Sequence, residues 1–467
     1  MHPHFEKNMS TRTETICSVS TAPGIGAIAV VRVSGSDVFS IVNQIFKEKA
    51  DFMGTPSHTA KFAEVFDGDM LIDQVIFVKF CAPHSYDGED MVEISCHGSR
   101  FIQQKILELL LQRGCRLAEP GEFTLRAFMN GKMDLVQAEA VGDLIDSQSE
   151  SAHRLAVNQL KGGFSRKIAE LRDRFIHLAA LLELELDFSE EDVEFADRKE
   201  FMEMLAALRS EVCRLVSSFR VGNALKNGVP VAIAGKPNVG KSTLLNALLD
   251  DDRAIVSDIP GTTRDTIEDT LTIGGTLFRF IDTAGIRHSD DTIENSGIQR
   301  TFRAMANADI ILYMVDAITT PENVAAEFRQ LSEEVDVSEK KIILIVNKID
   351  KSPMSDSITI PDGFNEKIAI SAKSRTNIEA IRAVLTRCVA ERGVSDSTLL
   401  TNARHYDLMM KIAEDIDRIE EGLTGGLPTD LVAIDVRSAL DKLGRLTGII
   451  TDNDVLNTVF GRFCIGK

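Results

Sequence analysis

One short pattern constrains this chain more than any other feature. The stretch GKPNVGKST, residues 235–243, fits G-x-x-x-x-G-K-[ST], follows the apolar run VAIA and precedes the helical pattern TLLNALL. Glycines let backbone N–H groups close around phosphate oxygens at the start of a helix. Lys241 is expected to reach the β- and γ-phosphates, and the Ser242 hydroxyl to bind Mg²⁺. The pattern predicts a nucleotide-binding α/β domain.

Three further motifs follow in a fixed order, each after an apolar run. They are Asp282–Gly285 (DTAG), Asn347–Asp350 (NKID) and Ser371–Lys373 (SAK). The Asp350 carboxylate can accept hydrogen bonds from N1–H and the 2-amino group of guanine, which adenine lacks. The set resembles the translation-factor-related GTPases and predicts GTP as the nucleotide. The residues expected to contact GTP are Asn238, Val239, Gly240, Lys241, Ser242, Thr243, Ser257, Asp258, Ile259, Pro260, Gly261, Thr262, Thr263, Asp282, Thr283, Ala284, Gly285, Asn347, Lys348, Asp350, Ser371, Ala372 and Lys373.

The residue after DTAG is Ile286, where Ras-like enzymes carry a glutamine that orients the attacking water. An isoleucine cannot orient water, so another group must do so. Glu294 is the best candidate in the following segment, acting directly or through a second water. Spacing alone leaves open a second interpretation, in which Glu294 is a surface charge on a mobile switch segment.

The chain shows no evident arginine finger, so another cation is expected at the phosphates. Oxygens of four residues could hold K⁺ there, where it would stabilise charge that an arginine otherwise neutralises. These residues are Asn238, Ser257, Ile259 and Thr262, and Thr263 is expected to complete the Mg²⁺ shell with Ser242.

The sequence contains three kinds of pattern, which are mixed strands and helices, helices alone, and alternating strands and helices. Together they predict a multidomain fold. An α+β N-terminal domain, an all-α helical domain and an α/β P-loop G domain inserted into the helical one are expected. The helical part contains a seam with spacings of 3 and 4 residues, formed by Ile168, Leu171, Phe175, Leu178 and Leu182. The predicted boundaries are 1–11 (a disordered start or an expression remnant, with Met9 as a plausible native start), 12–130, 131–222, 223–384 and 385–467.

Composition excludes several classes of protein. The net charge of −19 argues against general binding of RNA or DNA, which depends on phosphate neutralisation. No apolar run approaches the roughly 18 residues of a membrane span, and the start lacks a signal core, so we expect a cytoplasmic protein. The seven cysteines include no C-x-x-C pair, which argues against a disulfide framework or a zinc site.

Several longer stretches resemble the MnmE (TrmE) family of tRNA-modification GTPases. They include STAPGIGAIAVVRVSG, SYDGEDMVEISCHG, RLAEPGEFTLRAFMNGKMDLVQAEAVGDLID, the GTTRD loop and the terminal FCIGK. The resemblance implies a homodimer that binds 5,10-methylene- or 5-formyl-tetrahydrofolate through its N-terminal domain. It further implies that, with the FAD-containing partner MnmG, the chain adds an aminomethyl or carboxymethylaminomethyl group to C5 of the wobble uridine (U34) of tRNA.

The resemblance also implies roles for individual residues. Glu294 takes the position of the family's catalytic glutamate, and the four candidate K⁺ ligands take the positions of its K⁺ ligands. The implied folate contacts are Arg32, Glu93, Lys132 and Lys467. Cys464 is implied to lie near the folate pocket and to be needed for modification.

Cys464 by itself allows several interpretations. Gly466 and Lys467 in the last two positions argue against a prenylation box, and no disulfide partner is indicated. A frayed, inert tail would be the usual expectation at a terminus. With the resemblance, a residue that takes part in modification and a purely structural one both remain.

Two other functions fit part of the sequence. A GTPase switch or ribosome-assembly factor would carry the same phosphate motifs, but would not need the N-terminal folate residues or the CIGK tail. A folate-dependent methyltransferase controlled by GTP would need a nucleophile, for which Cys464 is the suggestive residue.

Overall fold

Two mixed sheets and a set of helices form the chain. The structure, a computed structural model, describes residues 14–48, 51–52, 54–188, 198–250, 269–281, 294–351, 360–391, 398–451, 453–461 and 463–466. Within these ranges it does not describe the side chains of 186–188, 198–200, 250, 294–300 and 331. The described residues form two compact units, one within Met1–Gly142, Leu160–Ile176 and Leu440–Lys467, the other within Asp143–Gln159 and His177–Ala439.

The first unit contains a six-stranded sheet in the order β3-β4-β5-β2-β1-β6. Neighbouring strands are antiparallel except for β1 and β6, which are parallel. The strands are β1 (Ile16–Val19), β2 (Ile28–Ser34), β3 (Thr59–Asp67), β4 (Met70–Phe80), β5 (Met91–His97) and β6 (Arg116–Leu117).

Helices cover one face of this sheet and close its core. Buried Val31 and Ile94 from the sheet share one apolar cluster with Ile106 and Leu110 from a helix. The helices wholly within this unit are α1 (Val38–Asn43), α2 (Arg100–Gln112), α3 (Glu122–Met129) and α14 (Asn453–Phe460). The apolar runs AIAVVRV, QVIFVKF and MVEIS predict β2, β4 and β5, and the helical pattern RFIQQKILELLLQRG predicts α2; the structure confirms all four. The other strands were not predicted because β1 and β6 are short and most β3 side chains are not buried.

The second unit contains a sheet in the order β12-β11-β10-β7-β9-β8. The runs VPVAIAG, TLFRFID, DIILYMVD, KIILIVNK and KIAISAK predict five parallel strands. All five are present and pair in parallel with each other, and a sixth, β8, pairs antiparallel with β9 at the edge. The strands are β7 (Val229–Ala234), β8 (Asp269–Ile273), β9 (Thr276–Phe280), β10 (Ile310–Asp316), β11 (Lys341–Asn347) and β12 (Glu366–Ala369).

The remaining helices lie in the second unit or contain residues of both units. Five side chains of the predicted helical seam, Ile168 to Leu182, lie on α6 and are buried, as expected. The helices are α4 (Leu135–Asp146), α5 (Glu150–Leu160), α6 (Gly163–Phe188), α7 (Arg198–Asn227), α8 (Lys241–Asp250), α9 (Glu294–Asn307), α10 (Pro321–Glu334), α11 (Ile378–Ala390), α12 (Ala403–Thr424) and α13 (Thr429–Thr447).

Two predicted domain boundaries fall inside helices, since α7 continues past residue 222 and α11 past residue 384. The domain limits themselves stay a prediction. Among the helices that the structure describes, none combines the length and the apolar character that a bilayer crossing requires.

Candidate functional site

The phosphate pattern forms a tight loop between β7 and α8. Gly235 and Gly240 adopt positive φ angles of 141° and 104°. A Cβ atom on Gly235 would lie 2.2 Å from the Met314 carbonyl oxygen, and one on Gly240 would lie 2.3 Å from Asn347 Nδ2. Both positions therefore require glycine, for conformation and for space.

Lys241, the first residue of α8, turns its amine back into this loop. Its Nζ donates hydrogen bonds to the carbonyl oxygens of Gly235, at 2.7 Å, and Lys236, at 2.9 Å. Burial lowers the pKa of Lys241 from its usual value. A partly desolvated ammonium group inside a loop at a helix start gains most from a bound anion, because the anion restores the favourable interactions that burial removes.

Asn347 joins this loop to the SAK motif. Its side chain is 3% exposed at the end of β11. Nδ2 donates to the Val239 carbonyl oxygen at 2.7 Å, and Oδ1 accepts from the Ala372 backbone N–H at 2.9 Å. The asparagine thus acts as a clamp that holds two loops in register, while its own side chain is turned away from solvent.

Asp350 is exposed beside this clamp, as expected for a group that contacts a base. Ser371 Oγ donates to Asp350 Oδ1 at 2.7 Å, and this hydrogen bond lowers the pKa of the carboxyl group. Lys348, at a positive φ of 68°, forms an ion pair with Asp316 at 2.6 Å. The carboxylate of Asp350 is therefore oriented and ionised, which suits the acceptance of two N–H donors.

The remaining predicted GTP contacts are placed less completely. Asn238 and Lys373 are exposed, Asn238 at a positive φ of 64°, and Ser242 is half-buried in the first turn of α8. The Glu294 backbone begins α9, but its side chain is not among those described. Thr243, the third residue of α8, is exposed. The other predicted contacts lie outside the described residues, namely Ser257, Asp258, Ile259, Pro260, Gly261, Thr262, Thr263, Asp282, Thr283, Ala284 and Gly285.

In the first unit, strand register brings Arg32 and Glu93 together. The two residues are directly opposite on β2 and β5. Arg32 Nε and Nη2 both donate to Glu93 Oε1, at 3.0 and 2.8 Å, so the pair does not use the second carboxylate oxygen, Oε2. The guanidinium carbon lies 4.9 Å from the Tyr86 ring centre and 5.5 Å from that of Phe123. The result is a half-buried charged pair beside two aromatic rings.

The loop between β4 and β5 completes this region. Asp87 is fully buried and accepts a hydrogen bond from Ser34 Oγ, which fixes the loop to β2. Asn130 Nδ2 donates to the Asp87 carbonyl oxygen at 2.8 Å, and Lys132 Nζ donates to that of Pro83 at 2.8 Å. Lys132 therefore contacts the loop that carries Tyr86, whose ring lies against Arg32. Its amine donates to this loop and not to the Arg32–Glu93 pair.

Sequence reasoning did not assign roles to Tyr86, Asp87 or Phe123, or to Asp316 in the second unit. The stretch SYDGED contains the first two and was singled out only as part of a longer resemblance. The sequence does not show that Asp87 is buried. Once its burial is known, it indicates a fixed loop, because a buried carboxylate requires hydrogen-bond donors.

The C-terminal tail folds onto the same unit. Ile465 forms an antiparallel bridge with Pro120, and Ser20 Oγ donates to the Gly466 carbonyl oxygen at 3.0 Å. Gly466 is buried, at a φ of 99°, and a Cβ atom there would lie 2.3 Å from the Val19 carbonyl oxygen. Cys464 is exposed beside these anchors, and Lys467 lies outside the described residues.

The residues that anchor the tail lie next to the elements that surround the Arg32–Glu93 pair, here called the Arg32 region. Val19 and Ser20 follow Ser18, which is the cross-strand partner of Arg32, and Pro120 precedes the helix that carries Phe123. The tail is therefore not frayed, and the elements that anchor it, β1 and the start of α3, also flank the charged pair.

Comparison with known proteins gives the same outline. A family model described as the MnmE helical domain matches residues 135–464, and one described as the GTP-binding protein TrmE N-terminus matches residues 15–132. The chain is similar to the tRNA modification GTPase MnmE of Christiangramia forsetii, with 46% identity over 97% of this chain and 99% of that protein. For the protein of the same name from Parabacteroides distasonis the identity is 48%, over 97% of this chain and 100% of that protein.

Among solved structures, the chain is similar to Era in complex with MgGDPNP and nucleotides 1506–1542 of 16S ribosomal RNA. The identity is 32%, over 34% of this chain and 55% of that one, and the TM-score of 0.26 is too low to support an inference. The near-complete match to curated relatives, together with the phosphate loop and its Asn347 clamp, is decisive: this chain belongs to the MnmE family of tRNA modification GTPases.

Proposed function

We propose that this chain is the potassium-dependent, GTP-hydrolysing subunit of a complex that modifies the wobble uridine of tRNA. The complex would use a tetrahydrofolate one-carbon donor and an FAD-containing partner, MnmG, to add an aminomethyl or carboxymethylaminomethyl group to C5 of U34. At the coarser level the chain is a GTPase of a tRNA-modification family. The finer proposal rests on one observation. The same chain contains both a phosphate loop with a guanine-recognition motif and the Arg32–Glu93 pair.

The phosphate loop fits GTP and Mg²⁺. Gly235 and Gly240 lie too close to neighbouring atoms to carry a side chain, and the amine of Lys241 lies partly desolvated within the loop. Lys241 would bind the β- and γ-phosphates, Ser242 with Thr263 would hold Mg²⁺, and Asp350 would bind the guanine edge. Mg²⁺ would neutralise charge on the phosphates. Glu294 would orient the attacking water from the start of α9.

K⁺ would neutralise the remaining negative charge on the phosphates. Among the residues that the structure describes, Asn238 is the one proposed ligand that can be assessed, and its exposed, left-handed position at the loop suits an oxygen ligand. Ser257, Ile259 and Thr262 complete the proposed set. No external arginine would then be needed for hydrolysis.

The Arg32 region fits a folate. Glu93 Oε2 can accept donors from a pterin ring, Arg32 and Lys132 suit carboxylates or ring oxygens, and Tyr86 with Phe123 supplies aromatic surface. Lys467 is a further proposed contact, through the docked tail. A bound folate would supply the one-carbon unit, while this chain's residues would bind and orient it beside Cys464.

The charge of the chain supports the need for a partner. A chain with a net charge of −19 would bind tRNA weakly by itself, so we propose that MnmG supplies most of the basic surface in a heterotetramer or larger complex with a homodimer of this chain. Tight, salt-sensitive binding of tRNA to this chain alone would overturn that division of roles.

The decisive test is nucleoside analysis of tRNA from cells that lack this gene. The modified wobble uridine should be absent, and it should return when the gene is restored but not when an Arg32→Gln variant is supplied. Unchanged nucleosides in the deletion would refute the proposed function in favour of an assembly factor or switch.

Binding of folate can be measured separately. Isothermal calorimetry with 5-formyltetrahydrofolate should show binding that weakens at least about tenfold in Arg32→Gln and Glu93→Gln, since each loses a charged contact of more than 1.4 kcal/mol. Arg113→Gln, which alters an exposed arginine after α2 in the same unit, is the matched control. Equal affinity in all variants would remove the folate assignment while leaving the GTPase intact.

A further inference from the structure

One ion-pair group lies at the edge of the second sheet opposite to the nucleotide motifs. Arg220, near the end of α7, donates through Nε and Nη2 to Asp309 Oδ1, both at 2.9 Å. Its Nη1 donates to Glu339 Oε2 at 2.6 Å. One arginine of a helix thus contacts the start of β10 and the turn before β11.

Asp309 is a firm anchor for this contact. The residue is 5% exposed. Its backbone N–H donates to the Pro230 carbonyl oxygen at 2.9 Å, and its carbonyl oxygen accepts from the Lys341 N–H at 3.1 Å. Because β7 and β11 flank β10, Asp309 is fixed between two strands, and Arg220 is bound to the rigid part of the sheet.

Lys340, the residue after Glu339, contacts the last turn of α9. Lys340 Nζ donates to the carbonyl oxygens of Ala306, at 2.6 Å, and Ala308, at 2.8 Å. A cation there satisfies orphan carbonyls and complements the negative end of the helix. Burial, and next the positive charge of Arg220, lowers the pKa of Lys340. Met305, one residue before Ala306, is fully buried.

The polar contacts border a pocket that is open to solvent. A cavity of about 370 Å³ lies between the end of α9, Arg220 and the turn before β11. The end of α9 is therefore held by the hydrogen bonds of Lys340 as well as by the buried side chains of Met305 and Ala308. Removal of Arg220 would also leave the buried Asp309 carboxylate without a charged donor that now contacts it.

The other end of α9 reaches the nucleotide edge. Since β9 and β10 are both parallel to β7, the helix between them must begin at the carboxyl edge of the sheet and return to the opposite edge. Its first residue is Glu294. A displacement at the Arg220 end would therefore be carried through about 21 Å of helix to the residue proposed to orient water.

We propose that Arg220 is a positioning residue for GTP hydrolysis. By binding Asp309, two residues after the end of α9, and Glu339, next to Lys340, it fixes, as a brace, the chain on which the end of α9 rests and so sets the place of Glu294. The brace also links α7, the helix that leads directly into β7, to the hydrolytic machinery. This inference rests on the proposed role of Glu294.

The test compares two arginines of the same helix. Arg209 on α7 also contacts two carboxylates, Asp417 at 2.9 Å and Glu420 at 3.3 Å, but both belong to α12. It is 49% exposed at the side chain, against 41% for Arg220, so Arg209→Gln is a closely matched control for Arg220→Gln. GTP turnover and GDP affinity are measured on the full-length chain in KCl.

Arg220→Gln should lower kcat at least about threefold, within the range found for residues that modulate coupling without touching the ligand. GDP affinity should stay within about twofold, and Arg220→Lys should restore part of the loss because it keeps one charged donor. Glu339→Gln, which removes the exposed partner and keeps the ion pair with the buried Asp309, should give a smaller decrease. Arg209→Gln should keep the kcat of the unsubstituted chain.

Two results would overturn the brace: an unchanged kcat in Arg220→Gln, or an equal decrease in Arg209→Gln. A Glu294→Ala variant separates this inference from the one on which it rests. If Glu294→Ala keeps full turnover, the role of Glu294 fails, and the brace as stated fails with it. If Glu294→Ala abolishes turnover but Arg220→Gln has no effect, the brace alone is wrong.

Discussion

Replacement of Asn347 by alanine should weaken nucleotide binding more than it disturbs the fold. The variant loses the hydrogen bond to the Val239 carbonyl oxygen at 2.7 Å and the one from the Ala372 N–H at 2.9 Å. At about 1 kcal/mol for each bond, the combined loss is about 2 kcal/mol. If nucleotide binding must supply all of this free energy to order the two loops, the affinity for GDP falls about 30-fold.

The assay is an equilibrium titration with a fluorescent GDP analogue, with thermal unfolding measured in parallel. Asn365→Ala is the matched control: Asn365 Oδ1 accepts a hydrogen bond from the Ile342 N–H at 2.7 Å, at the other end of β11. That variant should lose stability without losing affinity. If Asn347→Ala is folded and binds GDP within about twofold of the unsubstituted chain, or if Asn365→Ala weakens binding equally, the clamp does not preorganise the site.

Three further outcomes are expected. Asp350→Asn should weaken GDP binding in the same titration, since an amide presents one acceptor to two guanine donors; an unchanged affinity would place the base elsewhere. Thiol labelling near pH 8 should modify Cys464 and Cys213, which are exposed, long before Cys96, whose pKa burial raises to about 11 so that little thiolate exists until the pH approaches that value. Rapid labelling of Cys96 would contradict its burial, and protection of Cys464 would contradict its exposure. GTP turnover should be much faster in KCl than in NaCl at equal ionic strength, and equal rates would remove the K⁺ proposal.

The order of the elements was largely predictable because apolar spacing reports it locally. The five parallel strands of the second sheet and the buried seam of α6 follow from runs and periods that lie within one segment. The edge strands β3 and β8 escaped prediction because an edge strand buries fewer side chains and so has a weaker pattern. The domain boundaries expected at residues 222 and 384 fall inside α7 and α11 because a change of sequence pattern does not mark a helix end to the residue.

The candidate sites divide in the same way. The sequence alone determined the phosphate loop and the guanine motif, since Gly235 to Thr243 and Asn347 to Asp350 each act within one turn of chain, and those residue types at that spacing have few other uses. Only the tertiary structure decided that Asn347 clamps two loops, that Arg32 and Glu93 share one register position, and that the tail is docked. These contacts join residues that are from 25 to 446 positions apart. A period or motif records what lies within a segment, whereas pairing across such separations is set by strand register and by which surfaces fold against each other.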